Sequence, residues 1–221
     1  MRKKDLAWCL DLANHHPEAT PATIKALCQA VKKYQLHAAF VNPCYVSLAK
    51  EIMVDGVVGT VIAFPLGQET QNMKVLTAIE AAKRGADELD VSMNVGLFKA
   101  GKEDQVLAEM EAVIAAAKNI KGNTLIKFII ETSLLTESEI KKASEIVFKS
   151  GADFIKTNSG WGARGASLED VELIRGVVGE KIKIKVAGGI NTYKQAVAFL
   201  KKGADRIGTS KAVGIIKGAK K

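Results

Sequence analysis

Eight short apolar runs recur along the chain, each separated from the next by enough residues for one helix. They cover Trp8 to Leu12, Ala38 to Val41, Val57 to Phe64, Glu88 to Met93, Leu125 to Ile130, Phe154 to Thr157, Ile182 to Ala187 and Arg206 to Gly208. Short, nearly continuous apolar runs suit strands buried on both faces, as in a parallel sheet. Between them, apolar residues repeat at three- and four-residue steps over Pro21 to Tyr34, Thr70 to Arg84, Glu103 to Ile120, Thr136 to Ser150, Leu168 to Val178 and Thr192 to Lys202, and a last helix follows Ser210. That spacing predicts amphipathic helices. Strict alternation of strand and helix predicts an α/β protein.

A tripeptide marks the joints. Gly85-Ala-Asp87, Gly151-Ala-Asp153 and Gly203-Ala-Asp205 each follow a helical pattern and precede a strand, at separations of 66 and 52 residues. The glycine is predicted to end its helix in the left-handed conformation before the chain turns into the strand. Two βα units fit between successive copies. Eight units without a break in composition favour closure into a (β/α)8 TIM barrel, a single domain over residues 1–221, over a doubly wound open sheet.

With 221 residues and 48% hydrophobic content the chain can bury one large core. Cys9, Cys28 and Cys44 form no CxxC pair and are odd in number, which predicts reduced thiols and a cytoplasmic protein. The basic N-terminus lacks an apolar signal region, and no stretch is long enough to span a membrane. The charge of +8 comes from lysines scattered over the predicted helices, and aromatics make up only 5%. A lysine-rich surface explains this better than a nucleic-acid partner, which would want stacking platforms as well as charge. The tail from Lys217 to Lys221 reads as a solvated helix end.

Candidate chemistry lies in charges that interrupt the apolar runs. Lys156 ends the run Phe-Ile-Lys before Thr157, Lys185 alternates with Ile184 and Val186, Lys127 stands alone in Leu125 to Ile130, and Asp90 sits between Leu89 and Val91. Alternation can place all four on one interior face near the C-terminal strand ends, where such barrels keep their active sites. A buried lysine beside two further cations loses its proton more readily and becomes a nucleophile towards carbonyls. Lys156 is therefore the candidate Schiff-base residue.

Gly188-Gly189 after the seventh run, and Gly208-Thr-Ser210 after the eighth, read as phosphate-binding turns. Gly160-Trp-Gly-Ala-Arg-Gly165 has the spacing of a dinucleotide loop, but no acidic residue ends the next strand, and the Trp and Arg suit a substrate lid better. Adjacent His15 and His16 are predicted to form a solvated turn, not a metal site. Trp8, Phe148 and Phe199 read as core residues.

In this order, Asp11 to Thr20, Val41-Asn-Pro43, Val61 to Gly67, Gly85 to Gly101, Lys127 to Thr132, Ala152 to Gly160, Lys185 to Thr192 and Arg206 to Ser210 resemble the 2-deoxyribose-5-phosphate aldolases, class I aldolases built on a (β/α)8 barrel. The resemblance implies reversible cleavage of 2-deoxy-D-ribose 5-phosphate to D-glyceraldehyde 3-phosphate and acetaldehyde. Lys156 then matches the Schiff-base lysine, Lys185 the lysine that lowers its pKa, and Asp90 the proton-transfer residue. Lys127 and Thr157 join the binding set, and Gly160, Gly188, Gly189, Gly208 and Ser210 hold the phosphate with Ser159 nearby. The iminium serves as electron sink, so no cofactor or metal is implied. The implied partners are phosphosugar and aldehyde substrates, and a homodimer or higher homo-oligomer.

The chain departs from the family's pattern around the pocket, at Ala13, Phe40, Asn158, Asn191 and Lys211. Phe40 is expected to narrow the aldehyde side, and Asn191 with Lys211 to move the phosphate's positive partner. Two alternatives stay open at the level of sequence: a non-catalytic phosphosugar-binding barrel, and a Schiff-base aldolase for another phosphosugar.

Overall fold

The computed structural model describes residues 1–219. Eight parallel strands pair in chain order: β1 (Leu10–Asn14), β2 (Ala38–Val41), β3 (Val57–Ile62), β4 (Glu88–Ser92), β5 (Leu125–Ile129), β6 (Phe154–Lys156), β7 (Lys183–Ala187) and β8 (Arg206–Thr209). Pairing of β8 with β1 closes the sheet into a barrel. Around it run α1 (Lys3–Ala7), α2 (Pro21–Tyr34), α3 (Val46–Ile52), α4 (Gln71–Lys83), α5 (Val95–Lys99), α6 (Glu103–Ile120), α7 (Glu137–Lys149), α8 (Leu168–Val178), α9 (Tyr193–Lys201) and α10 (Ala212–Lys217). Lys217 closes α10, and Lys220 and Lys221 of the expected solvated tail lie outside the described residues.

The longer helices bury one stripe against the barrel. In α6 the buried apolar residues are Val106, Met110, Val113 and Ala117, a three- and four-residue spacing, each large one contributing about 1.5–3 kcal/mol by leaving water. Thr20, Thr70, Thr136, Ser167 and Thr192 cap α2, α4, α7, α8 and α9 by accepting a backbone N–H three residues on. Between α4 and α6, Lys74 and Glu109 are buried together, and the Lys74 ammonium also donates to the Ser92 carbonyl at the end of β4.

The tripeptide joints are one structure used three times. Gly85, Gly151 and Gly203 carry φ of +96°, +78° and +107°, which glycine adopts without the penalty a Cβ brings. Each following aspartate folds back on the strand before it. Asp87 Oδ2 accepts from Val58 N, Asp153 Oδ2 from Ile126 N and Asp205 Oδ2 from Ile184 N, at 2.7–2.8 Å. The backbone N–H of each aspartate bonds the carbonyl of that same residue, Val58, Ile126 or Ile184. Lys50 with Lys121, Lys118, and Arg175 then pair with the three carboxylates in turn.

Two core expectations are corrected. Trp8 is 60% exposed, because α1 ends at Ala7 and the chain turns through Trp8 and Cys9 before β1 begins at Leu10. Phe148 is 41% exposed near the end of α7, with its ring beside the Lys181 ammonium. Phe199 is buried as expected.

Candidate active site

Alternation along the strands sends Asp11 from β1, Glu88 and Asp90 from β4, Lys127 from β5, Lys156 from β6, Lys185 from β7 and Arg206 from β8 into the barrel. Six of them close a ring of alternating charge. Asp90 Oδ1 meets Lys127 Nζ at 3.1 Å, Lys127 meets Glu88 Oε2 at 2.6 Å, and Glu88 Oε1 meets Arg206 Nη1 at 3.7 Å. Arg206 Nη1 then meets Asp11 Oδ1 at 3.1 Å, Lys185 meets Asp11 Oδ2 at 2.8 Å, and Lys185 returns to Asp90 Oδ2 at 2.8 Å. Three carboxylates balance three cations. Lys156 hangs on this ring as a seventh group, donating to Asp90 Oδ2 at 2.8 Å.

That extra charge governs the electrostatics. Burial disfavours the Lys156 ammonium, Asp90 favours it, and the like charges of Lys185 and Lys127 oppose it, which leaves its pKa lowered to about 8. Burial alone would protonate Asp90, but Lys127, Lys156 and Lys185 hold its carboxyl well below the usual carboxylate range. Glu88 is likewise held down against burial by Lys127, with His37 Nε2 donating to its Oε1 at 2.9 Å. Lys127, flanked by Asp90 and Glu88, keeps its proton more firmly than an ordinary lysine despite complete burial. One ammonium of the set is thus poised to deprotonate near neutral pH.

Above the ring opens a cavity of about 290 Å³ at the C-terminal ends of the strands. Lys156, Lys185, Asp90, Ser159, Gly160, Gly188, Gly189, Gly208 and Ser210 all line it, so nine of the eleven sequence-assigned site residues converge on one hollow. Lys127 and Thr157 do not. Lys127 lies below Asp90 in the ring, and Thr157 is buried between β6 and β7, where its hydroxyl exchanges hydrogen bonds with Ala187. The twin turn has φ of +96° at Gly188 and +77° at Gly189, and Gly160 lies against Gly188.

Of the departures, Ala13, Phe40 and Asn191 line the cavity, whereas Asn158 and Lys211 do not. Phe40 forms its floor, with the Lys185 ammonium 3.4 Å from its ring centroid. The ring fits because Gly59 of the adjacent strand has no side chain; a Cβ there would come within 2.2 Å of Phe40 Cζ. Asn158 is buried, its side-chain oxygen accepting from Thr132 Oγ1 and Ser133 N.

The loop after β6 is tied down from below. Glu131 Oε2 accepts from Ser159 N at 2.9 Å and its Oε1 from Ser133 Oγ at 2.8 Å. Arg164 binds Asp170 through two nitrogens and donates to the Thr132 carbonyl. Trp161 at the tip is 52% exposed and stands edge-on to His16. The predicted lid is therefore an anchored loop with an aromatic over the cavity mouth.

Asp11, Glu88, Arg206, Glu131 and His15 escaped the reading of the sequence. Glu88 begins its apolar run, where a charge looks like a strand-end residue, Asp11 lies between Leu10 and Leu12 but near the end of a run taken to start at Trp8, and Arg206 follows directly on the Gly-Ala-Asp joint. Their signal was the alternation itself, since Glu88 and Asp90, and Arg206 and Gly208, share a face. The solvated turn expected at His15 and His16 is half right: His16 is exposed, but His15 lines the cavity.

The DeoC/LacD family aldolase model matches residues 9–220. A deoxyribose-phosphate aldolase of Thermococcus gammatolerans is 46% identical over 220 residues, 98% of this chain and 97% of its own length. One from Caldanaerobacter subterraneus subsp. tengcongensis is 42% identical over 219 residues, 98% and 94% of the two chains. Among solved structures, the aldolase QR15 superposes with a TM-score of 0.92 at 38% identity, covering 96% of this chain and 95% of its own. The tetrameric deoxyribose phosphate aldolase of Aeropyrum pernix superposes with a TM-score of 0.90 at 28% identity, covering 98% and 91%.

Proposed function

The chain belongs to the DeoC/LacD aldolase family, and from that premise we propose that it cleaves 2-deoxy-D-ribose 5-phosphate reversibly to D-glyceraldehyde 3-phosphate and acetaldehyde through a Schiff base on Lys156. The observation that carries the reading is the unbalanced ammonium: Lys156 is the one cation beyond an otherwise neutral ring, it lines the cavity, and its pKa is lowered to about 8.

The neutral Lys156 amine attacks C1 of the open-chain sugar, and loss of water gives the iminium. Asp90, directly or through a water, takes the proton of the C3 hydroxyl. The C2–C3 electron pair moves into the C1–C2 enamine as C3 becomes the carbonyl of D-glyceraldehyde 3-phosphate. Lys185, ion-paired with Asp90 at 2.8 Å, stabilises that carboxylate, and the proton Asp90 has taken is the one it returns, to C2 of the enamine or, in the reverse direction, to the C3 oxygen. Protonation of the enamine at C2 and hydrolysis release acetaldehyde and restore Lys156. Gly160, Gly188, Gly189 and Ser210, with Ser159, supply the phosphate subsite, because backbone N–H groups of positive-φ glycines can approach an anion closely. Gly208 contributes differently: a Cβ there would crowd Lys185 Cε at 2.9 Å, so this glycine makes room for the lysine. Assembly as a homo-oligomer fits a family in which one structural neighbour is tetrameric.

Borohydride reduction in the presence of acetaldehyde, followed by intact mass and peptide mapping, tests the nucleophile. A single adduct of one acetaldehyde-derived ethyl group on Lys156, absent in Lys156→Ala, is expected. A folded wild type that traps neither acetaldehyde nor deoxyribose 5-phosphate would instead favour a non-catalytic binding barrel.

A further inference from the structure

His15 follows directly on β1 and stands at the C-terminal mouth of the barrel. It lines two hollows, the catalytic cavity and an adjoining one of about 430 Å³ bounded by Phe64, Pro65 and Trp161. Its ring is tilted against Phe64, with centroids 5.2 Å apart, and Phe64 in turn lies beside the Lys156 ammonium, 5.8 Å from centroid to Nζ. Burial first, and the Lys156 ammonium next, keep the imidazole neutral by lowering its pKa to about 3.

The two ring nitrogens are not equivalent. Only Nδ1 is enclosed without a hydrogen-bond partner among the described residues. An enclosed N–H without an acceptor is rarer than an under-satisfied acceptor, so the favoured tautomer leaves a lone pair on Nδ1 and the proton on Nε2. His15 therefore offers the cavity one uncharged donor that adds nothing to the charge above the balanced floor.

The substrate read above has three polar parts beyond its imine carbon. The C3 hydroxyl is served by Asp90, and the phosphate by the glycine turns. The C4 hydroxyl between them has no partner assigned. Among the other polar side chains lining the cavity, Thr209 Oγ1 donates to the Ile190 carbonyl and Asn191 Nδ2 to the Gly189 carbonyl, while Ser159 and Ser210 belong to the phosphate subsite read above. We propose that His15 donates from Nε2 to this C4 hydroxyl, which is the hydroxyl next to the aldehyde in the acceptor, and so selects for α-hydroxylated acceptors. The inference rests on the assignment of Lys156 as the Schiff-base residue.

The test is aldol addition of acetaldehyde to two acceptors, D-glyceraldehyde 3-phosphate and 3-oxopropyl phosphate, which differ only in that hydroxyl. In His15→Leu, kcat/KM for the hydroxylated acceptor is expected to fall about tenfold, the worth of one hydrogen bond, while that for 3-oxopropyl phosphate changes less than about twofold. His15→Gln, which carries an N–H donor at similar reach, should recover most of the preference. Equal losses on both acceptors, or no loss on either, would overturn the assignment of His15 while leaving Lys156 intact. Borohydride trapping of acetaldehyde on the same preparations separates the two cases, because a wild type that traps nothing overturns the Schiff-base reading and this inference with it.

Discussion

Lys156 differs from its neighbours in what it lacks. Lys127 and Lys185 each touch two carboxylates, whereas Lys156 touches only Asp90, and shares the same oxygen of it with Lys185. Because the neutral amine is the reactive form, the initial rate of acetaldehyde adduct formation should climb with pH through about 8 and level off above it. Lys185→Met removes a like charge and leaves Asp90 Oδ2 to Lys156 alone. Both changes favour the ammonium, so the midpoint should move to higher pH, with about a tenfold slower rate at pH 7 for each unit moved. A pH–rate profile of the variant that stays centred where the wild type's is would show that Lys185 does not tune Lys156. At this scale the sequence was legible where a single charge interrupted a well-placed apolar run, as for Lys127 and Lys156, and missed Asp11, whose run was set two residues too early. It was mute at His15, where a second histidine next to it suggested a turn.

Among the elements, the Gly-Ala-Asp joints explain why three unrelated strand entries share a tripeptide. The glycine reverses the chain out of the helix, and the aspartate accepts the first free N–H of the neighbouring strand. In Asp205→Ala, Ile184 N would lose its acceptor at 2.7 Å and Arg175 its carboxylate. A loss of about 1–3 kcal/mol in unfolding free energy is expected for the stranded amide, measured by urea denaturation. Six of the eight strands were readable to within one residue at each end, because burial on both faces leaves short runs in which apolar residues predominate. β1 was misplaced by two residues, since Trp8 is apolar yet lies in an exposed turn, and the Val57 run overshot β3 by two. The short helices α1, α3 and α5 were invisible because five to seven residues are too few to establish a helical period, and α10, equally short, was expected only from its place after the last strand.

Across the molecule, the floor of the barrel is one electrostatic unit drawn from β1, β4, β5, β7 and β8. Removing one member strands its partners. Glu88→Gln would leave Lys127 and Arg206 each short of a carboxylate, and breaking such a buried pair costs about 3–5 kcal/mol, visible as a lower urea midpoint. The sign of its pH dependence also follows. Glu88 and Asp90 are both held below their ordinary range, so they stabilise the fold above about pH 4 and cease to do so as acid protonates them. The variant, with one such group fewer, should lose stability less steeply on acidification than the wild type. A variant as stable as the wild type would show that the ring is not held by charge balance. The parallel order and closure of the barrel were legible from eight regular units, but the ring was not, because its pairs join residues as distant as Asp11 and Arg206.

Those two residues stand 195 positions apart in the chain, and this separation sets a clock. A polypeptide emerging from the ribosome makes Asp11 195 residues before Arg206. Until β8 is released, Asp11 and Glu88 have no cation to share and the sheet has an open edge. The pocket cannot be prepared by a chain that stops short of β8, however much of β6 is already folded: the hollow waits for its last strand.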